Sequence, residues 1–433
     1  MGNYAVVSYA FAMRKLRSLL LFLAIMAVFC SAQIGEKKLR LVSLHANGSQ
    51  RYSEAQVLQA TGLQLDEQVT QQELEEAANE LGETGMFVGV HFQFMPVAEG
   101  VSATYQVTDN AGTAPVIFEN FVWFSPDQLE SELRARVPLF QGRLPNAGSL
   151  LQDVRLALQA LINNKNIPGT VKTNVNGQLG QFISVSYTVE DVEPRIAAVK
   201  FQGAQQLDSA LLEDAAHSLL QTAYNQSAVL TFCNSNLKNL YLARGYLKVH
   251  FADLVYKLAN ESVQEPLVEV TILVDEGPQY HFAGVTWTGN TIPSPQELQK
   301  IISLQNGDLA NAIKLERDLA GLRKSYGPHG YLGVTHKVQA HLMQDGTASF
   351  EVQLHEGVPY QMDKLTIRGV DQDHKARIEQ LWKLASGTAY DDTYPSKFIS
   401  EMIKSHLAAA NSLVKESIDD QNKIVDVTID VRP

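Results

Sequence analysis

Cysteine is almost missing from this sequence, which has only Cys30 and Cys233. That count leaves no disulfide framework and no cysteine-rich metal site. Charge is modest, at 19% of residues, and lopsided, with a formal net charge of −12. No run of Lys and Arg offsets the acidity, which argues against a nucleic-acid partner. The signatures of chemistry are absent too. There is no G-x-S-x-G, no H-E-x-x-H, no Walker loop and no Rossmann fingerprint. No cofactor or metal is implied, and the chain reads as non-catalytic. His329, His336, His341 and His355 crowd one stretch, but His336 and His341 are an odd number of residues apart on an expected strand and face opposite sides. Asp391-Asp392 and Asp419-Asp420 read as turn or cap residues rather than catalytic carboxylates.

One unbroken apolar run occurs, at residues 19–29. It follows the basic stretch Met13-Arg14-Lys15-Leu16-Arg17 and precedes Cys30-Ser31-Ala32. The run is shorter than the ~20 residues of a spanning helix. Residues 1–32 are therefore expected to be a secretory signal peptide cleaved after Ala32, with Met13 the true initiator. Phe29, just before Cys30, disfavours a lipoprotein. Cleavage would leave Cys233 alone, within a helical stripe of Leu230, Leu237, Leu240 and Tyr241, where it reads as a small buried apolar residue.

With 433 residues and a hydrophobic fraction of 45%, the chain is long enough for several domains and too apolar for wholesale disorder. Its organisation centres on residues 267–290. Val268, Val270, Ile272 and Val274 alternate as a half-buried strand. Asp275-Glu276-Gly277-Pro278 stops that strand, and a second strand from Tyr280 to Trp287 closes on Gly289-Asn290. About 80 residues on, Phe350 to Tyr360 repeats the corner and Leu365 to Gly369 repeats the strand; a similar interval back, Val185 to Gly203 does the same.

Five units follow, at residues 38–110, 113–192, 194–276, 278–356 and 359–433, each expected to run β-α-α-β-β. Capping boxes at Ser53, Thr70, Ser125 and Ser294 mark helix starts. Val154, Leu158 and Leu161 give one helical stripe, Leu315, Leu319, Leu322 and Tyr326 another, and Ile378, Leu381 and Leu384 a third. The strand around Thr170 to Val175 is weak.

A strand ending in Gly, two capped helices, an Arg244-Gly245-Tyr246 or His329-Gly330-Tyr331 junction, and a hairpin closing on Glu276-Gly277-Pro278 or Glu356-Gly357-Val358-Pro359-Tyr360 resemble the POTRA (polypeptide-transport-associated) domain of outer-membrane protein assembly factors. The second unit lacks both the Gly-Tyr junction and the Glu-Gly-Pro corner. The resemblance implies an α+β fold, a tandem array of about five domains, each a three-stranded mixed sheet with two helices on one face. It also implies that the first hairpin strand lies at the sheet edge, where an extended peptide could add as a further strand. Candidate edges are residues 247–254, with Leu247, Val249 and Phe251, and residues 332–340, with Leu332, Val334 and Val338. The family's usual membrane β-barrel is not expected here, since no barrel-like run of alternating segments occurs.

The function so implied is a periplasmic scaffold in outer-membrane protein assembly or transport, peripheral to the membrane at most, with a β-barrel protein, its unfolded precursors or other envelope proteins as partners. Alternatives are a scaffold in another envelope system, such as division or secretion, and an unrecognised secreted envelope enzyme. A deep pocket with convergent polar groups would favour the enzyme.

Overall fold

The computed structural model describes residues 38–178 and 180–432. The stretch expected to be a signal peptide, with Met13, Cys30 and Ala32, lies outside the described residues. By internal contacts the chain forms two compact units: one runs to Ala198 and includes Gln221–Ala228 and Tyr256–Glu269, and the other holds Val199–Leu220, Val229–Val255 and Val270 onward.

Five small sheets succeed one another along the chain. The first repeat has β1 (Leu39–Asn47), α1 (Glu54–Ala60), β2 (Gln68–Val69), α2 (Gln71–Glu83), β3 (Phe87–Val97) and β4 (Gly100–Asp109), in sheet order β2-β1-β4-β3. The second has β5 (Thr113–Phe118), α3 (Pro126–Arg136), β6 (Arg143–Pro145), α4 (Ser149–Asn164), β7 (Thr170–Gln178) and β8 (Gln181–Glu190), in order β6-β5-β8-β7. The third has β9 (Arg195–Gln202), α5 (Ser209–Ala216), α6 (Gln226–Phe232), α7 (Lys238–Leu242), β10 (His250–Leu258) and β11 (Leu267–Asp275), in order β10-β11-β9. The fourth has β12 (His281–Thr288), α8 (Pro295–Gln299), α9 (Ala312–Leu319), α10 (Leu322–Tyr326), β13 (Thr335–Leu342) and β14 (Thr347–His355), in order β12-β14-β13. The fifth has β15 (Gln361–Arg368), α11 (Gln372–Leu381), α12 (Tyr394–Lys404), β16 (Leu413–Asp419) and β17 (Ile424–Asp430), in order β15-β17-β16.

This is the mixed α+β architecture that the motifs implied. The closing strand sits centrally, parallel to the first strand and antiparallel to its hairpin mate. It can hold that place because its alternation is strictest: β11 buries Val268, Val270, Ile272 and Val274 in turn, and β17 buries Val425, Val427 and Ile429. All four expected capping boxes form, with each hydroxyl accepting from the N3 backbone and each Glu or Gln reaching back to the cap N–H.

The structure departs from expectation in several places. The first two sheets have four strands, because the segment between the helices adds β2 or β6 outside the first strand. The weak strand of the second repeat is a full nine residues. The stripe in the fourth repeat breaks into α9 and α10 beside Gly321, although its four apolar residues are all buried. The Cys233 stripe carries a wider π-type turn at Cys233–Leu237, which leaves Leu230 and Leu240 half-buried. Leu381 is exposed, because α11 ends there.

Candidate partner-binding edges

Each sheet has two edges, and the chain treats them differently. The segment between the two helices folds back on the first strand, as β2 on β1, as β6 on β5, and as single bridges Arg195↔Ala223, His281↔Leu309 and Gln361↔Ala389. In the fourth repeat this lays Phe282 N–H on Asp308 O at 2.7 Å and Gly307 N–H on Phe282 O at 2.9 Å. The first-strand edge is thus partly covered by its own repeat. The first hairpin strands β3, β7, β10, β13 and β16 each stand at the other end of their sheet, paired on one side. A one-sided strand presents a row of unpaired backbone groups, a template for an added strand.

Of the side chains singled out from sequence, Phe251 and Val338 lie on the edge strands β10 and β13, and the other four lie just before those strands. Val249 and Phe251 are buried in the core of the third repeat. Leu247 precedes β10 and packs against the core of the fourth repeat. Leu332 precedes β13 and packs against the core of the fifth. Val334 and Val338 are half-buried against the core of their own repeat. All six side chains therefore point into cores, and what the edge strands offer outward is backbone. The exposed residues of β13 are Thr335, Lys337, Gln339, Ala340 and His341. The odd spacing of the two histidines works as anticipated: His336 meets Glu316 of α9 at 3.1 Å, whereas His341 meets Glu351 across the strands at 3.2 Å. Among the described residues no group of His, Cys, Asp and Glu could hold a metal ion.

What the Leu247 and Leu332 positions build is a joint. Gly245 and Gly330 adopt φ of +83° and +86°, which glycine reaches without the clash a Cβ brings. Tyr280 N–H donates to Gly245 O at 2.9 Å, and Ala310 N–H donates to Tyr280 O at 2.9 Å. One repeat later Tyr360 N–H donates to Gly330 O and Tyr390 N–H to Tyr360 O, both at 2.8 Å. A Cβ on Gly330 would lie 2.8 Å from Tyr360 O.

The acidic corner has a matching role. Glu276 is 7% exposed and takes the N–H groups of Gln205 and Gln206. Glu356 is 9% exposed and takes the N–H groups of Thr291 and Ile292 together with the Tyr326 hydroxyl, at 2.8 Å for the last. Asp109 does the same for Gln50 and Arg51. Each carboxylate satisfies donors that would otherwise be orphaned in the loop after the first strand. Burial pushes the Glu356 carboxyl up, but the bonds from Thr291, Tyr326 and Ile292 together outweigh it and hold the group below the usual carboxylate range.

The second repeat lacks these motifs and substitutes for them. Asn120 stands where the strand-closing glycine would be, and its amide bonds both Val189 O and Val189 N–H. Asn166 takes the positive φ at the helix end. Pro194, which has no N–H to give, accepts from Tyr224 N–H at 2.6 Å. Buried Glu119 accepts from the Ser227 N–H at 3.0 Å and hydroxyl at 2.8 Å, and the Tyr256 hydroxyl of β10 donates to Phe124 O at 3.2 Å.

Residues 280–368 match the model of the POTRA family, described as a surface antigen variable number repeat. The fourth repeat, with the first strand of the fifth, is thus similar to a POTRA domain. The outer membrane protein assembly factor BamA of Neisseria meningitidis serogroup B (strain ATCC BAA-335 / MC58) is 24% identical over 261 residues, covering 55% of this chain and 32% of that protein. A relative from Treponema pallidum (strain Nichols) is 24% identical over 195 residues, covering 43% of this chain and 23% of its own length. The chain thus spans a third or less of the curated relatives it matches. Among solved structures, POTRA domains 3–5 of BamA from Haemophilus influenzae match at 17% identity and a TM-score of 0.35, covering 55% of this chain and 96% of that one.

The clefts beside the repeats are surface features. One of about 450 Å³ lies between α3 and α4 and is lined by Phe124, Glu132, Arg136 and Lys165 among others. In it Arg136 pairs with Glu132 at 3.1 Å, and Lys165 sits 4.9 Å above the Phe124 ring. Among the described residues no helix is long and apolar enough to cross a membrane.

Proposed function

We propose that this protein is a non-catalytic periplasmic scaffold in outer-membrane protein assembly, and that its POTRA repeats bind extended polypeptide or partner proteins by strand addition. The observation that carries the reading is the recurring sheet order, which leaves the first hairpin strand one-sided in all five repeats while the opposite edge is partly covered. Backbone bonding at such an edge makes little demand on client sequence, as a scaffold for many chains requires. The relatives named above, one of them an outer membrane protein assembly factor, support the same setting. Partners in this reading are a β-barrel protein and its unfolded precursors.

The test uses alternation along β13. Neighbouring residues point their N–H groups to opposite sides of a strand, so of Val338→Pro and Gln339→Pro one removes a ladder bond to β14 and the other removes a bond offered outward. The variant that keeps the melting temperature is the outward one. Its capture of an unfolded β-barrel precursor should fall, and unchanged capture by that variant would remove β13 as a binding edge.

A further inference from the structure

The joint between the third and fourth repeats and the joint between the fourth and fifth share their main-chain bonds but not their side chains. Three residues before the joint glycine stands Leu242 in one and Gly327 in the other. Two residues after the amide that closes the joint, Ala310 or Tyr390, stands Ala312 in one and Asp392 in the other. The earlier joint is apolar here: α7 ends at Leu242 and packs on α9, which begins at Ala312, and both residues are half-buried. In the later joint the Asp392 N–H donates to Gly327 O at 3.3 Å, and the Asp392 carboxylate lies against Gly327. A Cβ built on Gly327 would collide with both carboxylate oxygens. Gly327 has φ of −58° and ψ of −42°, so the position requires room rather than backbone freedom.

A carboxylate in this place is poorly compensated. Its side chain is 16% exposed. Its ion-pair partner across the joint, Arg323 of α10, stands 3.7 Å away, beyond a normal hydrogen bond, and is itself exposed. A long pair with one solvated member returns little of the cost of taking charge out of water. The other groups facing it are Asp391 in the same loop, Lys397 of α12, whose ammonium donates to the Thr393 hydroxyl at 2.8 Å, and Tyr390, which in turn faces Glu416 of β16. Burial pushes the Asp392 carboxyl above its ordinary range. Arg323 pulls it down, Asp391 pushes it up and Lys397 pulls it down, and burial wins.

We infer that the joint between the fourth and fifth repeats is a proton-operated latch with Asp392 as its sensor, and that the joint between the third and fourth is not. Closing the later joint penalises the ionised carboxylate. That penalty is present above the closed-state pKa and is relieved as pH falls through it, so the latch tightens toward mild acid. Glu356 acts in the opposite sense and in a lower window, because its carboxyl is held below the ordinary range and its support is lost only beneath that range. The latch holds whether or not the sheet edges take a client.

Hydrogen exchange on the full chain, corrected for intrinsic rates, reads both joints at once: the Tyr280 and Ala310 amides report the earlier one, and the Tyr360 and Tyr390 amides the later one. At neutral pH, Asp392→Asn should open less than the unmodified protein at Tyr360 and Tyr390. The ratio of unmodified to Asp392→Asn opening there should fall by about twofold or more from pH 7 to roughly 4.5, and the same ratio at Tyr280 and Ala310 should stay near one. The ratio cancels the Glu356 contribution, which both proteins share. Gly327→Ala tests the geometry apart from pH. Alone it drives a methyl group into the Asp392 carboxylate and should raise opening of the later joint by about tenfold, as overpacking does. Combined with Asp392→Ala, which leaves a small apolar contact like that of the earlier joint, it should recover most of that loss. A ratio that stays constant or rises as pH falls would overturn the latch, as would an equal response at both joints. A Gly327→Ala effect that Asp392→Ala does not relieve would overturn it too. Unchanged circular dichroism in each variant separates opening of the joint from loss of fold.

Discussion

The joints between repeats make the sharpest demand on single residues, and Gly330→Ala tests it. Gly330 holds φ of +86°. An alanine there costs about 1 kcal/mol for the left-handed backbone alone. Its Cβ would also lie 2.8 Å from Tyr360 O, a backbone atom that cannot swing away. Relief comes by moving Tyr360, which loses the 2.8 Å bond from Tyr360 N–H to Gly330 O, worth about 1 kcal/mol. The sum is about 2 kcal/mol, or roughly a thirty-fold increase in opening of the joint. Gly346→Ala is the control, since Gly346 has φ of +82° but nothing within 4 Å of an added Cβ. Both variants carry the backbone cost, and only Gly330→Ala disturbs the next repeat. Native-state hydrogen exchange at the Tyr360 and Tyr390 amides reads the difference. Faster exchange in Gly330→Ala alone is the expected result. Equal protection in both variants would refute the joint.

Three further outcomes follow from the same geometry. Glu356→Ala strands the N–H groups of Thr291 and Ile292 and the Tyr326 hydroxyl, and should cost about 1–3 kcal/mol in a denaturant titration, whereas Val358→Ala at an exposed site should cost little. Because the Glu356 carboxyl is held below its unfolded value, its contribution is present above the ordinary carboxylate pKa and is lost as pH falls through the lower folded one; urea midpoints measured from pH 6 down to 3 should therefore drop, and should drop less in Glu356→Gln. Cys233 is fully buried, with burial pushing its thiol up to about 12, so a thiol reagent at pH 8 should label it only after unfolding.

The repeat was legible because its punctuation is chemical. A hydroxyl three residues before Glu or Gln, placed just ahead of a helical stripe, marks a helix start, and Ser53, Thr70, Ser125 and Ser294 each cap one. The Gly-Tyr junction and the acidic corner stood out as motifs, but their purpose needed coordinates: Gly245 and Gly330 accept a bond from the next repeat, and Glu276 and Glu356 satisfy loop donors some 65–71 residues away in sequence. The second repeat was hard to read because it meets the same needs with other side chains, Asn120 for glycine and Glu119 with Ser227 in place of a Gly-Tyr bond. Alternation alone could not separate an edge side chain from a core one. Leu247 and Leu332 look like the start of a strand, yet each belongs to the core that follows. That the first hairpin strand is the edge came from the family resemblance rather than from any residue pattern, and the sheet order places each of those strands at an end of its sheet.

The central claim is that the hairpin edges receive extended polypeptide, and site-specific photocrosslinking in the native envelope tests it most directly. A crosslinker at Lys337, exposed on β13, should capture a β-barrel protein or its unfolded precursors, while one at Ser349, half-buried on the central strand β14, should not. Equal capture from both positions, or capture of division or secretion proteins alone, would contradict the account.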